Sequence, residues 1–262
     1  PLSFRPLTQY MPVYNRTTTY VSPLAGWNNY NKFMAGVYLS NLSLTPVPFE
    51  FSLAPLYDFK NDEIAGMGNV SYSIYPRSGA VSQIQTIVTG KRFAFASNNS
   101  SDEKIADKNP VFNYERLTAM LKVEFRPTTP RSPVARSIAY RHIQLSEDQI
   151  SYTRINDSTY SQSFGGVNSY FNELSFAYLN SRTLDPYTAD LRFEQGKNHL
   201  KAAFTFNYKL SYGKFNKGIH ARIFAGAFIY NDEKIRNYNF RMSSVTGYGD
   251  YLYDDLYLGR TE

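Results

Sequence analysis

The sequence predicts an all-β protein: an antiparallel up-and-down transmembrane β-barrel, or a segment of one, with about ten or eleven strands. Three observations predict it. Apolar and polar residues alternate with period two along much of the 262-residue chain, which marks strands rather than helices. Several alternating stretches reach the roughly 9–11 residues that a tilted strand needs to cross a bilayer, against about 5–6 in soluble proteins. The aromatic residues (23 Tyr, 19 Phe and 1 Trp) gather near the ends of these stretches, where amphipathic rings build interfacial girdles.

The elements follow in order. Trp27 and Tyr30 precede Phe33, Ala35, Val37 and Leu39, which alternate with Lys32, Met34, Gly36 and Tyr38. Phe49, Phe51, Leu53, Pro55 and Tyr57 alternate with Glu50, Ser52, Ala54, Leu56 and Asp58. Val70, Tyr72 and Ile74 make a shorter match. Leu117, Ala119, Leu121, Val123 and Phe125 alternate with Thr118, Met120, Lys122, Glu124 and Arg126. Tyr170, Leu174, Phe176 and Tyr178 alternate with Glu173, Ser175 and Ala177, and Leu191 and Phe193 with Asp190, Arg192 and Glu194. The clearest strand runs from Lys201 to Tyr212. Ala202, Phe204, Phe206, Tyr208 and Leu210 take one face, and Lys201, Ala203, Thr205, Asn207 and Lys209 the other. One pleated strand thereby meets two environments. Gln83 to Phe95, Val134 to Leu145 and Gly218 to Tyr230 are strand-like but do not sort by face, so bulges or two-sided burial are expected there.

The connectors fall into two sets. Short turns with proline or glycine are expected at Leu44–Pro48, Pro76–Gly79, Pro127–Pro133, Leu184–Pro186 and Gly213–Gly218. Longer polar loops are expected at Lys60–Ala65, Ser97–Asn109 and Ser146–Gly166, with Gly196–Asn198 the short exception and a long Tyr-, Asp- and Gly-rich tail after Asn231. Short turns on one rim and long loops on the other describe a membrane barrel. Residues 1–262 read as a single β-barrel domain or segment, with no linker and no repeat beyond the hairpins. The chain opens at Pro1 without a signal peptide and stops at Glu262 without a closing strand, so the expectation is a processed chain or a piece of a longer one.

Composition excludes several classes. With no cysteine there is neither a disulfide framework nor a thiol nucleophile. The aromatic content does not suit a disordered chain. No stretch approaches the roughly 20 apolar residues of a membrane helix. The net charge of +6 is spread singly along the chain, without the clustered basic face that nucleic acid requires.

Charges on the faces opposite the apolar ones form the remaining constellation. Glu50, Lys122, Glu124, Glu173, Asp190, Arg192, Lys201, Lys209 and Arg222 are expected to face a lumen. Both signs occur, so they can pair across neighbouring strands into a self-satisfied polar core, or line a selective pore. Phe204, Phe206, Tyr208 and Leu210 are expected to face lipid. His142, His199 and His220 lack any zinc-ligand spacing and are expected to be lumen or rim polar groups. No catalytic, metal or cofactor residue is assigned. The glycine pairs at Gly66–Asn69 and Gly247–Gly249 read as punctuation of loops and strand ends.

The segments Gly26–Met34, Ala54-Pro-Leu-Tyr57 and Gly66–Pro76, together with the ending Tyr257-Leu-Gly-Arg-Thr-Glu262, resemble a known group. The chain looks like the C-terminal membrane-associated region of Bacteroidetes-type M1 (gluzincin) metallopeptidases, and is more distantly similar to Omp85 and surface-antigen barrels. The resemblance implies a β-rich anchor behind an aminopeptidase-like catalytic domain. The family's zinc motif, third glutamate ligand and substrate-anchoring segment have no counterpart here, so zinc would belong only to a domain outside this chain.

The function expected from these residues is a bacterial outer-membrane barrel that anchors or scaffolds an attached domain. Its partners would be the lipid bilayer and other outer-membrane or periplasmic proteins, not nucleic acid. Two other readings fit the same pattern: a transport or protein-insertion barrel acting through its lumen, and a soluble carbohydrate-binding β-sandwich.

Overall fold

Strands that alternate in polarity pair best with neighbours that alternate in step, and the whole chain is built on that pairing. The computed structural model describes residues 18–43, 47–97, 111–156, 159–212, 217–232, 238–240 and 250–256, with backbone alone over 150–156 and 159–164. It contains β1 (Tyr20–Asn28), β2 (Lys32–Ser40), β3 (Phe49–Asp58), β4 (Glu63–Ile74), β5 (Val81–Ser97), β6 (Val111–Phe125), β7 (Val134–Asn156), β8 (Thr159–Asn180), β9 (Tyr187–Gln195), β10 (His199–Ser211) and β11 (Gly218–Asn231). All are hydrogen-bonded in chain order into one antiparallel up-and-down sheet. The expectations for Leu44–Pro46, Gly213–Asn216, Gly247–Gly249 and Tyr257–Glu262 lie outside the described residues, as does all but Ser97 of the expected 97–109 loop.

Register assigns every strand two faces. Phe33 opposite Trp27, Tyr57 opposite Ile64, Val70 opposite Val88, Leu121 opposite Tyr140, Leu174 opposite Phe193 and Phe204 opposite Leu191 all stand on one face. It is open: Trp27 is 53% exposed, Leu117 53% and Ile223 60%. The other face carries Glu50, Arg116, Arg141, Glu173, Glu194 and Lys201, and residues 251–254 pack on it. Met34, Leu56, Ala65, Phe93, Tyr114, Ile143, Leu145 and Phe171 join Leu252 and Tyr253 there in a buried cluster. Each fully buried side chain of this kind contributes roughly 1.5–3 kcal/mol.

Connections alternate between two rims. Of the described residues, 41–43, 47–48, 75–80, 126–133, 181–186, 212 and 217 lie at the proline rim and 29–31, 59–62 and 196–198 at the opposite rim, the side on which β5 is followed by β6 and β7 by β8. Two loops expected at the opposite rim are not loops. Lys60–Ala65 is a tight turn, with β4 beginning at Glu63. The Asp58 carboxylate makes it so, accepting from the Lys60 and Asn61 amides and from Asn61 Nδ2, while Asn31 Nδ2 donates to it from the neighbouring hairpin at 2.5 Å. Ser146–Gly166 is the far end of a β7–β8 ribbon paired as far as Asn156 opposite Thr159. Its sequence hid it: Ile150, Tyr152, Ile155, Tyr160 and Phe164 are spread among Ser, Thr, Asn, Asp and Gly, which reads as a loop although the backbone ladder continues.

The irregular stretches have separate causes. β5 is bulged at Val81/Gln83 and Ala94/Ala96, and the β10–β11 register shifts at Leu200/Lys201. Val134–Leu145 has no bulge; there the polarity exchanges sides, with Ile143 and Leu145 buried while His142 and Gln144 stand on the open face. Gly66, at φ 139°, lets the backbone approach so closely that a Cβ would lie 2.3 Å from Ala54 O.

The expectation of a barrel meets the structure as an open sheet. No described strand pairs with the outer edge of β1 or of β11. Ten antiparallel steps separate them, so the two edges run in the same direction.

Candidate functional site

The polar residues of the covered face converge under the chain's own C-terminal segment. Asp250 shapes that segment: its carboxylate accepts from the Asp254 and Asp255 amides, both at 2.9 Å, and its carbonyl from the Tyr253 amide at 3.2 Å. Tyr253 takes φ 52° inside this turn. Tyr251, Tyr253 and Asp254 are thereby presented to the sheet.

Asp254 sits among three cations from three adjacent strands. Arg116 Nη2 donates to its Oδ1 at 2.5 Å, Arg141 Nη1 to Oδ1 at 2.7 Å and Arg141 Nη2 to Oδ2 at 2.9 Å. Lys91 Nζ donates to the Asp254 carbonyl at 2.6 Å. Burial raises the Asp254 carboxyl, but the hydrogen bonds and charge of Arg141, with the charges of Arg116 and Lys91, outweigh it and hold the group below its ordinary range. Arg141 also grips Glu173 through Nε and Nη2, at 2.9 and 3.0 Å, and Arg192 Nε reaches Glu173 at 3.5 Å. A chain of alternating charge thus runs from β6 to β9.

A second cluster surrounds Tyr251. Its hydroxyl lies 2.5 and 2.6 Å from the two oxygens of Glu194, which is 3% exposed. Lys201 Nζ donates to the same hydroxyl and lies 3.1 Å from Glu194 Oε1; His199 Nε2 is also 3.1 Å from that oxygen. Burial and the Glu194 charge push the Tyr251 hydroxyl far up, so it stays protonated and donates. Lys201 stands over the Tyr251 and Phe240 rings, 4.5 and 5.3 Å from their centroids. Tyr253 completes the contact, stacked on Tyr114 at 3.9 Å and donating to Glu147 Oε1 at 2.5 Å.

Of the residues singled out in the sequence, Glu173, Arg192 and Lys201 belong to this network. Asp190 and Arg222 line a cavity of about 300 Å³ beside it, with Glu194, Lys201 and Asp254. Glu50 lies opposite Ser71, Lys122 pairs with Glu124 at 2.7 Å, and Lys209 stands opposite His220; none of these four joins the cluster. His142 is on the open face, sharing Asn172 Oδ1 with the Tyr140 hydroxyl. Phe204, Phe206, Tyr208 and Leu210 share one face of β10, the open one. Sequence reasoning missed Arg116, Arg141, Tyr251, Tyr253 and Asp254 as site residues. Arg116 was one step beyond a recognised alternation. The segment's residues carry no local periodicity, and the usable signal was a surplus of cations on β5 to β7 that needed an acid.

Chemically the arrangement is a lock. Glu147, Glu173, Glu194 and Asp254 are each held by a cation or a phenol and Asp250 by backbone amides, and among the described residues no group of three or more His, Asp or Glu side chains gathers as a metal site would require. Comparison with family models, with curated proteins and with solved structures finds no match in any of the three.

Proposed function

We propose that this chain forms the wall of a bacterial outer-membrane β-barrel that anchors or scaffolds an attached domain. The carrying observation is the open face, rich in exposed apolar residues from Val21 and Trp27 on β1 to Ile219 and Ile223 on β11, while the other face holds most of the charges; Arg92, Glu115 and Arg136 are exceptions on the open side. A contiguous apolar face of this extent is unstable in water and suited to lipid. In lipid the outer edges of β1 and β11 must also be paired, because unsatisfied backbone groups there cost several kcal/mol each. Since those edges run the same way, an odd number of further strands closes the wall antiparallel.

The covered face is occupied by residues 251–254 and their ion pairs, which supports anchoring over conduction through a lumen. The attached domain, by the resemblance noted above, is a zinc aminopeptidase-like one, and other outer-membrane or periplasmic proteins are the expected partners. The test is flotation: protein refolded with liposomes is spun through a density gradient after an alkaline wash. Recovery with the vesicles is expected. Recovery as a detergent-free soluble monomer would contradict the proposal and favour the sandwich.

A further inference from the structure

The proline rim carries a charge that its neighbours do not neutralise. Its described turns hold Arg77, Arg126, Arg131, Arg182 and Lys217 against Asp185 alone, five basic residues to one acidic. The described residues of the opposite rim, Lys60, Asp62 and Lys197 in its turns and Asp232 just after β11, are balanced. Arg77, Arg131 and Lys217 are exposed and form no ion pair with a described carboxylate. Asp185 is already engaged, since its Oδ1 accepts from the Ser211 amide at 2.8 Å.

This rim is stapled into a platform. Arg126 donates across to the carbonyls of Pro76, at 2.6 Å, and of Gly79, at 3.1 Å, joining two turns. Ser181 donates through both its amide and its hydroxyl to Pro133 O, at 2.9 and 3.0 Å, joining the next pair. The Lys209 amide donates to Pro186 O at 3.0 Å, tying β10 to the turn before β9.

Just inside the basic turns, the open face ends in aromatic residues. Phe49 stands opposite Tyr72, Tyr187 opposite Tyr208, and Arg136 in one row between Phe125 and Tyr178. Tyr178 stacks on Tyr187 at 5.7 Å, and Arg182 covers the Tyr187 ring at 5.5 Å. In a membrane, rings of this kind sit at the boundary between hydrocarbon and headgroups, so cations one step further out stand at the level of the phosphates.

We infer that the proline rim is a seat for anionic lipid headgroups, with Arg77, Arg131, Arg136, Arg182 and Lys217 meeting their phosphates on a platform held by Arg126, Ser181 and Asp185. The inference rests on the membrane reading above and specifies which lipids that reading involves. Charge complementarity and the adjoining aromatic row select a lipid phosphate over a soluble acidic partner, which would have no use for the rings.

The test reconstitutes the protein in vesicles of equal parts phosphatidylcholine and phosphatidylglycerol, extracts it gently, and measures the lipids that remain bound. The ratio of bound phosphatidylglycerol to phosphatidylcholine should rise about fivefold over the bulk ratio, and the rise should shrink as salt is raised. The combined variant Arg77→Gln, Arg131→Gln, Arg136→Gln and Lys217→Gln leaves the stapling residues intact and should return the ratio to near parity. Parity in inserted wild-type protein, or enrichment unchanged by the variant or by salt, would overturn the inference while leaving the membrane reading standing. Failure of the wild type to insert into any vesicle is a different result, and overturns both.

Discussion

Arg141 holds Asp254 with both arms of its guanidinium, Nη1 on Oδ1 at 2.7 Å and Nη2 on Oδ2 at 2.9 Å, across 113 residues of chain. The same guanidinium grips Glu173 from the next strand, so one side chain couples the sheet to the segment lying on it. Asp254→Asn removes the countercharge of Arg116 and Arg141 while keeping the shape. The expected loss is about 1–3 kcal/mol, the range for hydrogen bonds to charged groups at a partly exposed site. Urea titration of the vesicle-inserted protein measures it, and faster proteolysis after Asp250 should accompany it.

The same contact has a pH signature. A carboxyl held below its ordinary value of 3.8 stabilises the docked segment fully above that value. The contribution is lost as pH falls through the lowered value. Protease resistance of residues 250–256 should therefore persist from neutral pH down to about pH 4 and fall only below it. Release of the segment between neutral pH and pH 5 would contradict the assignment of Asp254 as its lock.

At the second cluster, Tyr251→Phe and Lys201→Met should differ. The first removes one donor from Glu194 but leaves Lys201 and His199 beside it, a cost of about 1–2 kcal/mol. The second strips the buried Glu194 of its nearest cation and should cost roughly 3–5 kcal/mol. Equal losses in the two variants, read from denaturation midpoints, would mean that Glu194 is not charged in the folded protein.

Close backbone approach gives an independent test of the β3–β4 register. Gly66→Ala places a Cβ 2.3 Å from Ala54 O at a φ of 139°, and should cost about 1–3 kcal/mol. Gly90→Ala, where no atom lies within 4 Å of the added Cβ, should leave the midpoint nearly unchanged. The pair is read in the same titration.

What the sequence made legible depends on whether a strand's two faces meet different environments. β10 could be read residue by residue because Phe204 and Lys201 face opposite ways into unlike surroundings. The outer β7–β8 ribbon could not, since Ile150, Tyr152, Ile155, Tyr160 and Phe164 are scattered among polar residues and make no sustained alternation. β1 escaped notice because Leu24 packs toward the core while Val21 and Trp27 are open, so apolar residues fall on both faces. The docked segment was the least legible part. Tyr251 meets Glu194 and Asp254 meets Arg141 through contacts 57 and 113 residues apart, and no local spacing encodes either.

The most direct test of the membrane wall is the accessibility of its open face. The chain has no native cysteine, so single cysteines at 204, 206 and 208 report without background. In protein inserted in liposomes, all three should react with lipid-soluble probes and resist a membrane-impermeant maleimide. Ready labelling of all three by the impermeant reagent in the folded protein would place this face in water and contradict the outer-membrane account.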